Sequence, residues 1–127
     1  MRSKVHDPYQ PFQTFKLDPG HPVTKAWPEE WSTPGDELYQ TIELLPGSHP
    51  LLKAKSPQDG REHCVSWTST YGKGSVFTTT LGHDLKTAGM SSYHQLIADG
   101  LLWVCGKLGD DGQPAAGYGA PSSPATK

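Results

Sequence analysis

The stretch CVSWTSTYGKGSVFTTTLGHD, residues 64–84, contains two runs of β-branched and aromatic residues that flank a short turn with two glycines. Such runs favour extended backbone, and glycines let a tight connection reverse the chain. The stretch therefore predicts an antiparallel hairpin with strands over residues 64–71 and 75–81. His83 and Asp84 would follow the C-terminal end of the second strand.

A helical pattern follows the hairpin toward the C-terminus. Apolar residues recur there at steps of three and four, which is the spacing of one face of an amphipathic helix. Ser91 and Ser92 are of the residue type that caps helix starts. We therefore predict a helix that begins near residue 93, ends near residue 108 and packs an apolar stripe on the sheet. The stripe consists of Leu96, Ile97, Leu101, Val104 and Leu108.

Three shorter strands are predicted upstream of the hairpin. They cover residues 12–17, 36–44 and 50–55, and turn-forming Pro and Gly residues separate them. One helical turn is predicted at residues 21–25, because a proline near a helix start is tolerated. The segment from there to Gly35 is predicted to be a loop rich in Pro, Glu and Trp.

The bulk composition limits the classes of partner. The chain has 127 residues, 34% of them hydrophobic, and a net charge of −2 from 11 basic and 13 acidic side chains. This length suits one domain, and the lack of a basic run argues against nucleic-acid binding. The longest apolar stretch, residues 101–105, is far shorter than the ~20 residues that span a bilayer, and no signal peptide is evident. We therefore expect no membrane association and, by default, a cytoplasmic location; the oligomeric state stays open.

The two ends of the chain contain few residues that could form a core. Residues 1–10 are polar and contain proline, and are at best an ordered lead-in. Residues 109–127 consist mostly of Gly, Asp, Pro, Ala and Ser, with Tyr118 as the one large apolar side chain. Such a segment predicts a disordered tail or linker. The folded part is therefore expected to cover residues 1–108.

Cysteine and histidine spacing gives no metal motif. Cys64 and Cys105 form no CxxC pair, which favours two buried thiols over a disulfide or a reactive thiol. The 6 histidines form no HxH or HxxxH pair, so no zinc site is predicted from this segment alone. If residues elsewhere complete a site, His83 is the leading candidate ligand. The sequence identifies no cofactor.

Five short motifs occur in an order and spacing that resemble the ThuA-like (trehalose-utilisation) family over residues 12–107. They are HPVTK at residues 21–25, DELY at 36–39, YGKGSVF at 71–77, LGHD at 81–84 and GLLW at 100–103. The chain departs from the family at Ala26-Trp27, where Gly-Leu is usual, and at Ser75, where Arg is usual. The family domain also begins with strands and helices that have no counterpart here, so residues 1–108 resemble its C-terminal portion.

The resemblance implies an α/β fold, part of a flavodoxin-like or class I glutamine amidotransferase-like layered sheet with a C-terminal antiparallel hairpin and a packing helix. It also implies a role in carbohydrate utilisation, with trehalose or a related disaccharide as the small-molecule partner. The alternative is a non-catalytic carbohydrate-binding or scaffolding module of a larger protein, or an inactive fragment. Glutamine hydrolysis is disfavoured, because neither cysteine lies on the strand–turn–helix elbow that such a nucleophile needs.

His83 and Asp84 are the candidate catalytic residues. Ligands of open α/β sheets bind beyond the C-terminal ends of strands, and the resemblance places the LGHD motif at the family's cleft. An imidazole there could act as a general base near neutral pH or as a metal ligand, and Asp84 could orient or charge it. The alternative is that the pair only caps the turn into the next segment.

Glu37, Tyr39 and His21 are the candidate substrate-binding residues. Alternation along the predicted strand places Glu37 and Tyr39 on the same face. Asp36 and Leu38 point the other way, and if Leu38 belongs to the core, the opposite face is either a sugar-binding edge with an aromatic platform or an ordinary solvated surface. His21 either lies in the cleft or hydrogen-bonds within its own turn.

Overall fold

The structure is a computed structural model that describes residues 2–120, apart from the side chains of residues 2–4 and 41–42. In chain order its elements are β1 (Arg2–His6), β2 (Gln13–Lys16), a 3₁₀ turn (Pro22–Thr24), β3 (Glu30–Ser32), β4 (Tyr39–Glu43), β5 (His49–Lys55), β6 (Glu62–Tyr71), β7 (Gly74–Thr79), α1 (Leu85–Ala88) and α2 (Ser91–Val104). Neither helix in this part of the chain is long and apolar enough to cross a membrane.

Two antiparallel sheets form the frame of the domain. The larger sheet has five strands in the order β3-β2-β5-β6-β7, and the smaller one pairs β1 with β4. β4 also packs against β6, so the small sheet lies against the large one. On the C-terminal side, α2 packs against β7 and the 3₁₀ turn. The α/β class is therefore confirmed.

The predicted hairpin is confirmed as the β6–β7 pair. The two strands are in regular register from Ser66 opposite Thr79 to Tyr71 opposite Gly74. Gly72 lies in the turn with a φ of +58°, a left-handed conformation that glycine adopts without the steric cost of a side chain. The glycines that the sequence shows at this turn therefore suit the geometry that sets the register.

α2 confirms the predicted helix but begins and ends earlier than expected. It begins at Ser91, and Met90 occupies the N-cap position without a side-chain hydrogen bond. Ser91 and Ser92 thus lie inside the first turn rather than capping it. The helix ends at Val104, because Gly106 adopts a φ of +67° and its backbone reverses the chain there.

The apolar stripe of α2 is only partly buried. Leu96 belongs to the core, and Val104 and Leu108 are half-buried. Ile97 and Leu101 are 38% and 61% exposed. Leu96 therefore packs in the core as predicted, whereas Ile97 and Leu101 lie beside β7 and remain exposed.

Gly100 explains which face of α2 meets the sheet. It lies so close to β7 that a Cβ atom at this position would overlap the ring of Phe77. The missing side chain lets the helix approach along its Leu96–Gly100 side, which leaves Ile97 and Leu101 at the margin of the contact. These two residues instead line an open groove of about 370 Å³ between α2 and β7.

The core joins the strands of the large sheet to the 3₁₀ turn and α2. Its buried hydrophobic residues are Phe12, Val23, Trp27, Trp31, Leu38, Leu51, Leu52, Ala54, Val65, Leu81 and Leu96. Leu51, Leu52 and Ala54 of the central strand β5 are fully buried. Residues from Phe12, just before β2, to Leu96 in α2 therefore share one core.

β3 forms inside the segment that the sequence predicts to be a loop. Trp31 of β3 packs on Trp27, with ring centroids 4.6 Å apart. The hydroxyl of Thr14 in β2 donates to the carbonyl of Trp31 at 3.0 Å and accepts from Trp27 Nε1 at 3.1 Å. Two buried indoles and this hydroxyl therefore hold the Pro-rich segment against β2 as a short strand.

The segment after α2 forms hydrogen-bonded turns up to Tyr118, whereas the sequence predicts a disordered tail from residue 109. The amide of Gly109 donates to the carbonyl of Gln113 at 2.8 Å, and Ala115 donates to Lys107 at 2.8 Å. Backbone hydrogen bonds rather than buried side chains define these turns, which is why hydrophobic patterning gives no sign of them. Residues 121–127 lie outside the described residues.

The two edges of the large sheet differ in character. β3 is three residues long, carries Glu30 and lies between Pro28 and Pro34. β7 is six residues long, carries no charged side chain and pairs only with β6 among the described strands. Short, charged and proline-flanked edges resist further strand pairing, so only the β3 edge has these protective features.

Candidate functional site

Three side chains, from three separate segments of the chain, converge on one carboxylate oxygen of Glu37. Glu37 Oε2 accepts a hydrogen bond from the Tyr39 hydroxyl at 3.1 Å. It also lies 3.6 Å from His83 Nδ1 and 3.8 Å from His6 Nδ1. We call Glu37, Tyr39, His83 and His6 the Glu37 cluster.

Strand alternation explains how Glu37 and Tyr39 come together. Asp36 and Leu38 are buried, whereas Glu37 and Tyr39 are half-buried on the opposite face, as the sequence predicts. Burial, together with the hydrogen bond to Glu37, raises the pKa of Tyr39. Its hydroxyl therefore stays protonated and donates to the carboxylate at neutral pH.

His83 lies beyond the C-terminal end of β7, where the sequence predicts it. Gly82 precedes it with a φ of +95°, and a Cβ atom at Gly82 would overlap the hydroxyl of Tyr93. This glycine lets the chain turn sharply and brings His83 toward Glu37. The His83 side chain is 53% exposed and is accessible to a ligand.

Asp84 is placed as a helix cap. Its carboxylate accepts a hydrogen bond from the backbone N–H of Lys86 at 2.8 Å, at the start of α1. This is the capping role that the sequence leaves open as the alternative for the His83-Asp84 pair. The carboxylate near the His83 imidazole is that of Glu37.

His21 belongs to a different group of side chains. Its Nδ1 accepts a hydrogen bond from the N–H of Val23 at 3.2 Å, which caps the 3₁₀ turn. Its ring stacks on His49 with centroids 5.8 Å apart and lies 5.4 Å from the ring of Trp103. Burial lowers the pKa of His21. The structure thus brings together Glu37, Tyr39 and His83 of the predicted residues and places His21 with other partners.

The Asp18–His49 pair beside His21 predicts a pH-dependent contribution to stability. His49 Nε2 lies 2.7 Å from Asp18 Oδ2, and this hydrogen bond lowers the pKa of Asp18 in the folded chain. A lowered carboxyl pKa stabilises the fold above its ordinary value, and the contribution disappears as pH falls through the lowered value. We expect His49→Phe, which keeps an aromatic ring, to cost about 0.2–1 kcal/mol of unfolding free energy at about pH 6. Urea unfolding of both proteins at about pH 6 and pH 2 measures this difference, and an equal difference at both values would contradict the assignment.

His6 is the cluster residue that sequence reasoning misses. It ends β1 and lies opposite Tyr39 in the pairing of β1 with β4, with the two ring centroids 5.6 Å apart. Its Nδ1 is also 2.8 Å from the carbonyl of Asp7. Only the long-range pairing of the polar lead-in with β4 brings His6 to Glu37, and no local motif announces that pairing.

The two cysteines differ in exposure: Cys64 is half-buried, whereas Cys105 is exposed and not buried as predicted. In residues 2–120, no group of three His, Cys, Asp or Glu side chains is arranged to hold a metal ion. Over the same range, Cys64 and Cys105 are not joined in a disulfide. The Cys64 thiol donates to the carbonyl of Ser66 at 3.3 Å, and burial raises its pKa, which lowers its reactivity as a thiolate.

Comparison with known proteins gives a consistent picture. The family described as ThuA, trehalose utilisation, matches residues 2–104. A ThuA-like protein from Parabacteroides merdae ATCC 43184 is 27% identical, with a TM-score of 0.70 over 79% of this chain and 40% of that one. A ThuA-like protein from Bacteroides uniformis ATCC 8492 shares the fold at 20% identity, with a TM-score of 0.64 over 80% of this chain and 46% of that one. The chain thus spans less than half the length of either solved protein, and no curated protein sequence matches it significantly.

Proposed function

Because the chain belongs to the ThuA family, whose description is trehalose utilisation, we propose that it binds trehalose or a related disaccharide at the Glu37 cluster. The observation that supports this proposal is the convergence of His83, Tyr39 and His6 on the Glu37 carboxylate. Fold membership alone does not define a ligand, so the proposal rests on the chemistry of these side chains.

The cluster offers the groups that a neutral sugar needs. A carboxylate accepts hydrogen bonds from sugar hydroxyls, and Glu37 is only partly buried and has a second oxygen besides the one facing Tyr39. The Tyr39 ring presents an apolar face beside that carboxylate. Half-exposed His83 and His6 can each donate or accept a hydrogen bond at a ring nitrogen. The arrangement therefore suits a ligand rich in hydroxyl groups.

The same geometry allows proton transfer at His83. An imidazole can accept or release a proton at a ring nitrogen, and His83 Nδ1 lies 3.6 Å from Glu37 Oε2. Glu37 would hold the ring in orientation through Nδ1, which leaves Nε2 to hydrogen-bond a bound sugar hydroxyl and to exchange a proton with it reversibly. In this proposal Glu37 and His83 form the working pair, and Asp84 fixes the turn that carries His83.

A second candidate function is sugar binding without turnover. Glycoside hydrolysis ordinarily uses two carboxyl groups on either side of the bond that breaks. Within the described residues the contacts of the cluster include one carboxylate, Glu37, because Asp84 caps α1. This observation favours a non-catalytic carbohydrate-binding module over a hydrolase built from this segment.

The experiment measures trehalose binding by calorimetry and trehalose turnover for the wild type, Glu37→Gln and His83→Ala. We expect Glu37→Gln to weaken binding about tenfold, because a charged acceptor is lost, and His83→Ala to abolish any turnover while binding persists. His94→Gln, an exposed histidine on α2, is the matched control and should behave as the wild type. Unchanged binding in Glu37→Gln would overturn the proposed site, and binding without turnover in the wild type would identify a binding module.

A further inference from the structure

The carboxylate of Asp36 is fully buried directly beneath the Glu37 cluster. Its Oδ2 accepts a hydrogen bond from the backbone N–H of Gly82 at 2.7 Å. Its Oδ1 accepts from the backbone N–H groups of His83 and Glu37, both at 3.0 Å. One side chain therefore binds the backbone of both main residues of the cluster.

These hydrogen bonds replace a counter-ion. In the part of the chain that the structure describes, no Lys, Arg or His side chain forms an ion pair with Asp36. A buried carboxylate is costly unless charged or N–H donors compensate it, and three backbone donors fill that role here. The hydrogen bonds of the Asp36 carboxylate therefore depend on the Gly82-His83 turn staying in place.

Further hydrogen bonds hold the backbone of Gly35 and Asp36 in place. The backbone of Asp36 exchanges two hydrogen bonds of 3.2 Å with Gln10. The hydroxyl of Thr87, in α1, donates to the carbonyl of Gly35 at 2.9 Å. The segment before β4, which carries Glu37, is thus anchored on both sides, so Asp36 can hold the turn after β7 against a fixed support.

We propose that Asp36 is the positioning residue of the Glu37 cluster: its carboxylate ties the turn that carries His83 to the segment before β4 that carries Glu37. The two segments are 46 and 47 residues apart in sequence at these contacts. The separation of 3.6 Å between His83 Nδ1 and Glu37 Oε2 follows from this tie. Only the sugar-binding part of the test below rests on the proposed function.

The first test follows backbone amides by NMR in the full chain. In the wild type, the amide protons of Gly82 and His83 should move together on acid titration, because one carboxylate accepts from both. In Asp36→Asn these two amides should exchange with solvent about tenfold faster or more, because a charged acceptor is lost. Amides of the β6–β7 pair should stay unchanged. Asp111→Asn, an exposed carboxylate that accepts one backbone N–H, is the matched control.

Two outcomes of this test would overturn the proposal. One is an Asp36→Asn variant whose Gly82 and His83 amides exchange as in the wild type. The other is faster exchange spread uniformly over the whole sheet, which would make Asp36 a general stabiliser. If the variant does not fold, the shared titration of the two amides in the wild type decides, and separate titrations would refute the tie.

The second test is a double-mutant cycle on trehalose binding with Asp36→Asn, Glu37→Gln and the double variant. A residue that acts through Glu37 loses its effect once Glu37 is changed, so the two losses should not add. Fully additive losses would refute the positioning role. If the wild type binds no trehalose, the proposed function fails, and the amide measurements still decide the role of Asp36.

Discussion

Leu52→Ala should lower the free energy of unfolding by about 2–5 kcal/mol, because it opens a cavity at the centre of the large sheet. Leu52 is fully buried in β5, between β2 and β6, where Lys16 and Ser66 are its strand neighbours. Urea unfolding at constant pH measures the change. Leu85→Ala is the matched control, because Leu85 is 88% exposed and its loss should cost less than about 0.5 kcal/mol. A loss below about 1 kcal/mol for Leu52→Ala would mean that the core collapses around the missing side chain.

Gly100→Ala should destabilise the protein by about 1–3 kcal/mol, although alanine is the better helix former. In an ordinary helix this change would gain about 0.5–1 kcal/mol. Here the added methyl group would overlap the Phe77 ring and push α2 away from β7. The sign of the effect is therefore the informative quantity.

Thermal and urea unfolding of Gly100→Ala, with Gly119→Ala as control, measure that sign. A Cβ atom added at Gly119 would meet no neighbouring atom within 4 Å, and Gly119 lies after α2, so its replacement should change little. A Phe77→Leu background should recover part of the loss, because it shortens the opposing side chain. An increase in stability for Gly100→Ala would show that helix propensity outweighs the close approach.

The elements predicted well from sequence are those whose signals are local. The β6–β7 hairpin has its β-branched runs and its turn glycines within one short stretch, and α2 has its periodicity within one helix length. β1 and β3 lack such signals. β1 exists through pairing with β4, and β3 through contacts of Trp27 and Trp31 with β2, so both depend on partners far away in sequence.

The periodicity of apolar residues also does not predict how closely α2 approaches β7, or which part of its apolar face makes the contact. The spacing of apolar residues tells which of them share a face, but it does not tell where the neighbouring strand makes contact. Gly100 decides that point through its close approach to Phe77, which leaves Leu101 at the margin of the contact. A glycine inside a helix pattern, which lowers helix propensity, here marks the contact face.

The candidate site was predictable in part. His83 and Tyr39 follow from motif position and strand alternation, and the structure places both at Glu37. His6 and the tie through Asp36 were not predictable. The tie consists of hydrogen bonds from backbone N–H groups, which any residue except proline can donate, so it leaves no trace in the sequence of the partners.

The two edge strands of the large sheet, β3 and β7, differ in how readily a further strand could pair with them. An additional strand could pair with β7, which carries no charged side chain. The groove lined by Ile97 and Leu101 lies beside this strand. At β3 the same strand would meet Glu30 and two prolines that interrupt a hydrogen-bond ladder. Within the described residues, the sequence of β7 is therefore compatible with a further strand at the hairpin side, whereas the sequence around β3 is not.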